Sequence, residues 1–137
     1  MVPPRVLIVD DDPGVLFALR RLLESAGAMR TMVAPSAEAA EVELAHGAVD
    51  AMVLDFRLCG MRGDAFYHRA CTLQPSLAER TVFITGDVAP AANAAIAATG
   101  CPFLLKPFLT SALLAMVRDL AARATPRNAP ARDARSA

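Results

Sequence analysis

The sequence predicts a doubly wound α/β domain on five parallel strands, and three observations carry that expectation. Short runs rich in apolar residues, at 6–9, 29–34, 49–54, 81–85 and 101–105, alternate with segments of helical periodicity. Such alternation means a parallel sheet with right-handed crossovers. The run at 49–54 is apolar apart from Asp50, as in a strand buried on both faces. Four runs end in polar groups: Asp10 and Asp11, Asp55, Thr85, and Lys106. Ligands of open α/β sheets bind at the carboxyl ends of the strands, beside the topological switch point. Polar ends on the first and third strands put the switch between them, so the expected order is 2-1-3-4-5.

The first helix starts at Asp12, an N-cap, with Pro13 at its first position, where a missing N–H costs nothing. Val15, Leu19, Leu22, Leu23 and Ala26 recur at helical spacing, opposite Arg20, Arg21 and Glu24, and Gly27 is the expected stop. Residues 29–34 mix polar and apolar side chains, as an edge strand does. Pro35 and Ser36 open a second helix that runs through His46 to Gly47. After the central strand comes a loop, 57–63. The third helix is expected over 64–73, with Phe66, Ala70 and Leu73 inward and Pro75 ending it. The fourth strand is 81–85. The helix at 90–98 has Ile96 as its one large apolar residue, so it should be the most loosely held. Gly100 ends it and 101–105 forms the fifth strand. Thr110 or Ser111 should cap the last helix, where Leu113, Val117, Leu120 and Ala124 share a face. Residues 125–137 show no periodicity and read as a disordered tail or linker, which leaves 1–124 as the domain.

Composition removes several classes of function. With 137 residues the chain suits one domain, and its 14 basic and 14 acidic residues balance, so nothing points to direct nucleic-acid binding. No apolar run approaches the roughly 20 residues of a membrane span, and residues 1–5 lack a signal-peptide layout, so a cytoplasmic location is expected. Cys59, Cys71 and Cys101 form no CxxC pair, and with His46 and His68 they show no zinc spacing. Three free thiols in a reducing compartment are expected.

The chemistry concentrates on the rim. Asp10 and Asp11, held near Asp55, would repel one another and raise their own pKa values. Protonation or a bound hard cation would relieve this, and Mg2+ suits a site of one or two carboxylates that also receives phosphate oxygens. Lys106 adds a compact positive charge. A purely structural Asp–Lys pair needs one acid, whereas three converge here with a threonine.

The pieces Val6-Leu7-Ile8-Val9-Asp10-Asp11-Asp12-Pro13, Leu54-Asp55, Gly60-Met61-Arg62-Gly63, Phe83-Ile84-Thr85-Gly86 and Leu105-Lys106-Pro107-Phe108 are each weak signals. In this order and spacing, over residues 5 to about 124, they resemble the receiver domain of two-component response regulators, a flavodoxin-like three-layer fold. The stretch from Thr85-Gly86-Asp87 through Thr99-Gly100-Cys101-Pro102-Phe103 looks most like receivers attached to hybrid histidine kinases. The resemblance implies that Asp55 accepts a phosphoryl group from a histidine kinase or histidine phosphotransfer protein. It implies that Asp11 binds Mg2+ directly, Asp10 through a water, and Asp55 and the Arg57 backbone carbonyl complete the protein ligands. Thr85 would hydrogen-bond the phosphoryl group and Lys106 would pair with Asp55. Phe103 would turn inward when Thr85 moves, so that the fourth helix, fifth strand and fifth helix signal through protein contacts or a homodimer. The chain would catalyse only its own Mg2+-dependent phosphorylation and dephosphorylation.

Further expectations attach to this reading. Arg57 and Asp87, each two residues beyond a site residue, should flank the site and pair across it. Aiming Lys106 back into the site calls for a sharp reversal, and a cis Lys106-Pro107 bond supplies one cheaply. Cys59 stands where the family usually has proline, which loosens the loop after Asp55. The competing reading is a phosphatase of the haloacid dehalogenase type, since Asp10-Asp11-Asp12 contains Asp-x-Asp after the first strand. Gly14 stands where that motif expects Thr or Val, and there is no room for a substrate cap.

Overall fold

The computed structural model describes residues 2–86 and 89–123. In chain order the elements are β1 (Arg5–Val9), α1 (Pro13–Arg21) continued by a π-helical turn (Leu22–Ala26), β2 (Arg30–Ala34), α2 (Ala37–Ala45) and β3 (Ala51–Asp55). A small hairpin follows, β4 (Arg57–Leu58) and β5 (Met61–Arg62), then α3 (Gly63–Leu73) and a 3-10 turn (Pro75–Glu79). The chain continues with β6 (Thr81–Thr85), α4 (Pro90–Thr99), β7 (Phe103–Leu105) and α5 (Thr110–Ala122). The five-stranded sheet is parallel throughout, in the order β2-β1-β3-β6-β7, which is the expected arrangement.

Each face of the sheet has its own core, because alternate residues of every strand point to opposite sides. Leu7, Val9, Met52, Leu54 and Phe83 face α2, α3 and α4, where Phe66, Tyr67 and Ile96 meet them. Val6, Ile8, Val53, Val82 and Ile84 face α1 and α5, and pack on Leu16, Leu19, Leu23, Leu113 and Val117. Every residue of β3 is buried.

Several local expectations change. Asp12 caps α1 as expected, its side chain accepting from the Gly14 N–H at 2.8 Å. Beyond Arg21 the wide π-helical turn shifts the phase of the helix, so Ala26 is exposed, and Leu16 joins Leu19 and Leu23 in the core. Gly27 does end the helix, but in ordinary right-handed backbone; the positive φ falls on Ala28. On α3 the inward residues are Phe66, Tyr67 and Ala70, while Leu73 is 48% exposed. Gln74 takes the space beneath that helix end. Its side chain accepts from the Val49 N–H and donates to the Leu44 and Gly47 carbonyls, at 2.8–3.0 Å. Residues 57–63 are not a plain loop but contain the β4–β5 hairpin. The cap of α5 is Leu109, with no side-chain bond, so neither Thr110 nor Ser111 plays that part. Ala124 and the tail at 125–137 lie outside the described residues.

Candidate functional site

The carboxyl ends of β1 and β3 are adjacent, with Val9 in register with Leu54. The residues that follow therefore arrive side by side. Asp10 is buried; one of its oxygens accepts from the Asp12 N–H at 2.9 Å, while the other lies 3.6 Å from Lys106 Nζ. Asp55 is 6% exposed, and its Oδ2 lies 3.7 Å from the same nitrogen. Its Oδ1 accepts a long 3.4 Å bond from the Arg57 N–H. Asp11 is exposed at the rim, yet one carboxylate oxygen from each of Asp10, Asp11 and Asp55 can be chosen so that all lie within 4.8 Å of one another.

Electrostatics follow from that crowding. Burial, and then the negative charge of Asp10, push the Asp55 carboxyl up from 3.8 to about 6; Lys106 and the Arg57 N–H oppose the rise. One lysine does not balance three acids. The donors are hard oxygens around a deficit of positive charge, which fits a hard metal cation.

Lys106 is aimed by its neighbours. Its N–H donates to the Thr85 carbonyl at 2.8 Å, and the Lys106-Pro107 peptide is cis, as expected. Thr85 is buried at the end of β6, paired in register with Leu105. The open cleft is lined by Asp10, Asp11, Asp55, Arg57 and Lys106, and also by Asp12 and Gly86. The sequence marks Asp12 as a helix cap and Gly86 as part of a motif; Gly86 directly after β6, and Asp12 three residues past the end of β1, fall on the same rim. Asp87 lies outside the described residues, so its pairing with Arg57 has no geometry here. Phe103 is away from the cleft, 45% exposed, with Leu105 at 43% on the same side of β7.

Behind the acid, the chain packs closely. The Gly63 N–H donates to the Phe56 carbonyl at 2.6 Å, and a Cβ on Gly63 would fall 2.6 Å from the Asp55 carbonyl oxygen. Only glycine lets α3 start this close to the strand that carries Asp55. Arg62 stacks over the Phe56 ring at 5.5 Å and grips Asp64 with two bonds of 2.7 and 2.9 Å, which steadies the hairpin.

A sheet of this order, with paired acids after β1, a buried acid after β3 and a lysine after β7, defines a class. The profile of the response regulator receiver domain matches residues 6–118, and the chain belongs to that family. Receiver domains are signalling modules of two-component systems and interact with histidine kinases or phosphotransfer proteins. The chain is 33% identical over 120 residues to the sensory/regulatory protein RpfC of Xanthomonas campestris pv. campestris, covering 85% of this chain and 16% of that protein. It is 32% identical over 115 residues to the transcriptional regulatory protein YvrH of Bacillus subtilis, covering 82% and 47%. The chain thus spans less than half the length of these two relatives. A putative response regulator from Chloroflexus aurantiacus superposes with a TM-score of 0.78 at 30% identity, over 88% of this chain and 99% of that one. A CheY-like receiver domain from Methanospirillum hungatei gives 0.81 at 21% identity, over 91% and 98%. The haloacid dehalogenase alternative draws no support from this membership, and Asp12 of its Asp-x-Asp is engaged in capping α1. Among the described residues no helix is long and apolar enough to cross a membrane.

Proposed function

We propose that the chain is a phosphorylation-activated switch, taking a phosphoryl group onto Asp55 from a histidine kinase or histidine phosphotransfer protein. The observation that supports it best is the convergence of the Asp10, Asp11 and Asp55 carboxylates within 4.8 Å, with Lys106 at 3.6–3.7 Å from two of them. Ionised Asp55 attacks phosphorus in line and the donor's phosphorus–nitrogen bond breaks, leaving an acyl phosphate. Lys106 moves its charge from the Asp55 carboxylate to a phosphoryl oxygen, and the Thr85 hydroxyl donates to another. Positioning and charge neutralisation are most of what phosphoryl transfer asks of a protein. Asp10, Asp11, Asp55 and the Arg57 carbonyl would hold Mg2+, which when bound supplies charge that screens the transferring oxygens. The chain acts on no other substrate; water later cleaves the acyl phosphate. Arg57, which lines the cleft, and Asp87, two residues beyond Thr85 in the sequence, are the side chains expected to influence that water.

The signal leaves through α4, β7 and α5. Movement of Thr85 toward the phosphoryl group opens space, Phe103 turns into it, and a protein partner or a second copy reads the change. The receiver is assigned to residues 1–124 and to the cytoplasm.

Intact-mass spectrometry after incubation with acetyl phosphate tests the assignment. One phosphate increment is expected, lost without Mg2+ and lost in Asp55→Asn; full labelling of that variant would overturn it. In addition, Arg57→Ala and Asp87→Ala are expected to change the lifetime of the phosphorylated form.

A further inference from the structure

Two of the three cysteines, Cys71 and Cys101, border the same side chain, Tyr67, away from the acidic cleft. Tyr67 and Cys71 are one turn apart on α3, so they share a face. Cys101 reaches the same place from the other direction, directly after Gly100, the left-handed C-cap of α4. The Tyr67 hydroxyl donates to the Ala78 carbonyl at 2.9 Å, and the Cys101 thiol approaches the same oxygen at 3.9 Å. Burial, and then the neighbouring Cys101 and Cys71 thiols, hold the Tyr67 hydroxyl above the ordinary range. Cys101 belongs to the buried hydrophobic cluster and Cys71 packs against that same cluster. Nothing in the phosphoryl chemistry uses this group of three.

We propose that Cys71 and Cys101 are a modification site: they close into an intramolecular disulfide when a small hydroperoxide reaches them. The Cys71 thiolate attacks one oxygen of hydrogen peroxide, the simplest such oxidant and the one used in the test. The O–O bond breaks, leaving a sulfenic acid and a hydroxide that is protonated to water. The Cys101 sulfur then attacks the sulfenic sulfur, a second water leaves, and the S–S bond forms. Two thiols are oxidised and one peroxide is reduced. Burial raises the Cys71 thiol; once the thiolate forms, the Tyr67 proton turns from the Ala78 carbonyl to the sulfur and partly offsets that cost. The bond would tie the last turn of α3 to the entry of β7 and hold the end of α4 in place.

Each cysteine falls in a separate tryptic peptide, 58–62, 70–80 or 81–118, because the Lys106-Pro107 bond resists trypsin. The wild-type chain is treated with hydrogen peroxide, denatured, alkylated and mapped. The expected result is peptide 70–80 linked to 81–118 within one chain, a mass lower by two hydrogens, and slower amide exchange over 96–101. Cys71→Ser and Cys101→Ser should each abolish the link, and Asp55→Asn should keep it. Alkylated Cys71 and Cys101 in a sample whose exposed Cys59 is already oxidised would overturn the proposal, as would links that run only through Cys59.

Discussion

Every side chain of β3 is buried, whereas Phe103 and Leu105 of β7 remain 45% and 43% exposed in the same sheet. The helices differ in the same sense. The third helix presents Phe66, Tyr67 and Ala70 to the core, but α4 presents only Ala92 and Ile96. Apolar burial contributes about 25 cal/mol per Å2, so the small residues of α4 secure it far less firmly. Asp55 thus ends a fully buried strand, while the edge two strands away buries less apolar surface and is held less firmly. Regions that rearrange are drawn from the low-stability end of a fold. A stiff site beside a loose edge is what a binding event needs if its effect is to appear as movement elsewhere.

Four sets of substitutions can break or sharpen this contrast. The largest difference is expected between Leu54→Ala, at a fully buried position of β3, and Leu105→Ala on the edge. The first should cost about 2–5 kcal/mol and the second about 0.5–1, measured by urea unfolding. Equal losses would show that the edge is as well anchored as the centre.

Asp55→Asn comes next, with the opposite sign. In the unfolded chain this carboxyl ionises near its ordinary 3.8, but in the fold only near 6. As pH rises through that window the folded state therefore loses stability relative to the unfolded one, up to about 3 kcal/mol above pH 6. The variant should be more stable than wild type at pH 7 by up to that amount, and the gap should close below pH 4. Mg2+ should raise the wild-type Tm more than that of the variant, and EDTA should reverse the gain.

Gly63→Ala tests whether the stiffness around Asp55 depends on close backbone approach. The new Cβ would meet backbone atoms of Asp55 and Phe56 at 2.6–2.7 Å, atoms that cannot rotate away. A loss of about 1–3 kcal/mol is expected in unfolding experiments, together with slower labelling by acetyl phosphate. The smallest effects concern helix starts. Ser36→Ala removes the bond to the Ala39 N–H and should cost about 1 kcal/mol. Thr110→Ala and Ser111→Ala should leave thermal stability within about 0.5 kcal/mol, because neither side chain caps α5.

Much of this protein was legible in the order of its residues. Periodicity placed the five strands, a property that depends on neighbours along the chain. The polar residues closing four strands marked the rim, and the parallel order then had to bring Asp10, Asp11, Asp55 and Lys106 together. Asp12 as a cap, and α4 as a helix with little to bury, also follow from local sequence. Other features depended on contacts between segments far apart in the chain. Leu73 has the right spacing to point inward, but Gln74, reaching Leu44, Gly47 and Val49, occupies the space beneath the end of α3. A π-helical turn changes the phase of the first helix after Arg21, which no repeat of apolar residues announces. The raised carboxyl of Asp55 needs burial and the nearby charge of Asp10, and Asp10 sits 45 positions earlier in the chain. The meeting of Tyr67, Cys71 and Cys101 is of the same kind. Their spacing carries no signal: Tyr67 and Cys101 share the Ala78 carbonyl, and Cys71 lies one turn from Tyr67 on α3. Local sequence sets each segment's shape and polarity; packing decides which side chains share a dielectric and a hydrogen bond.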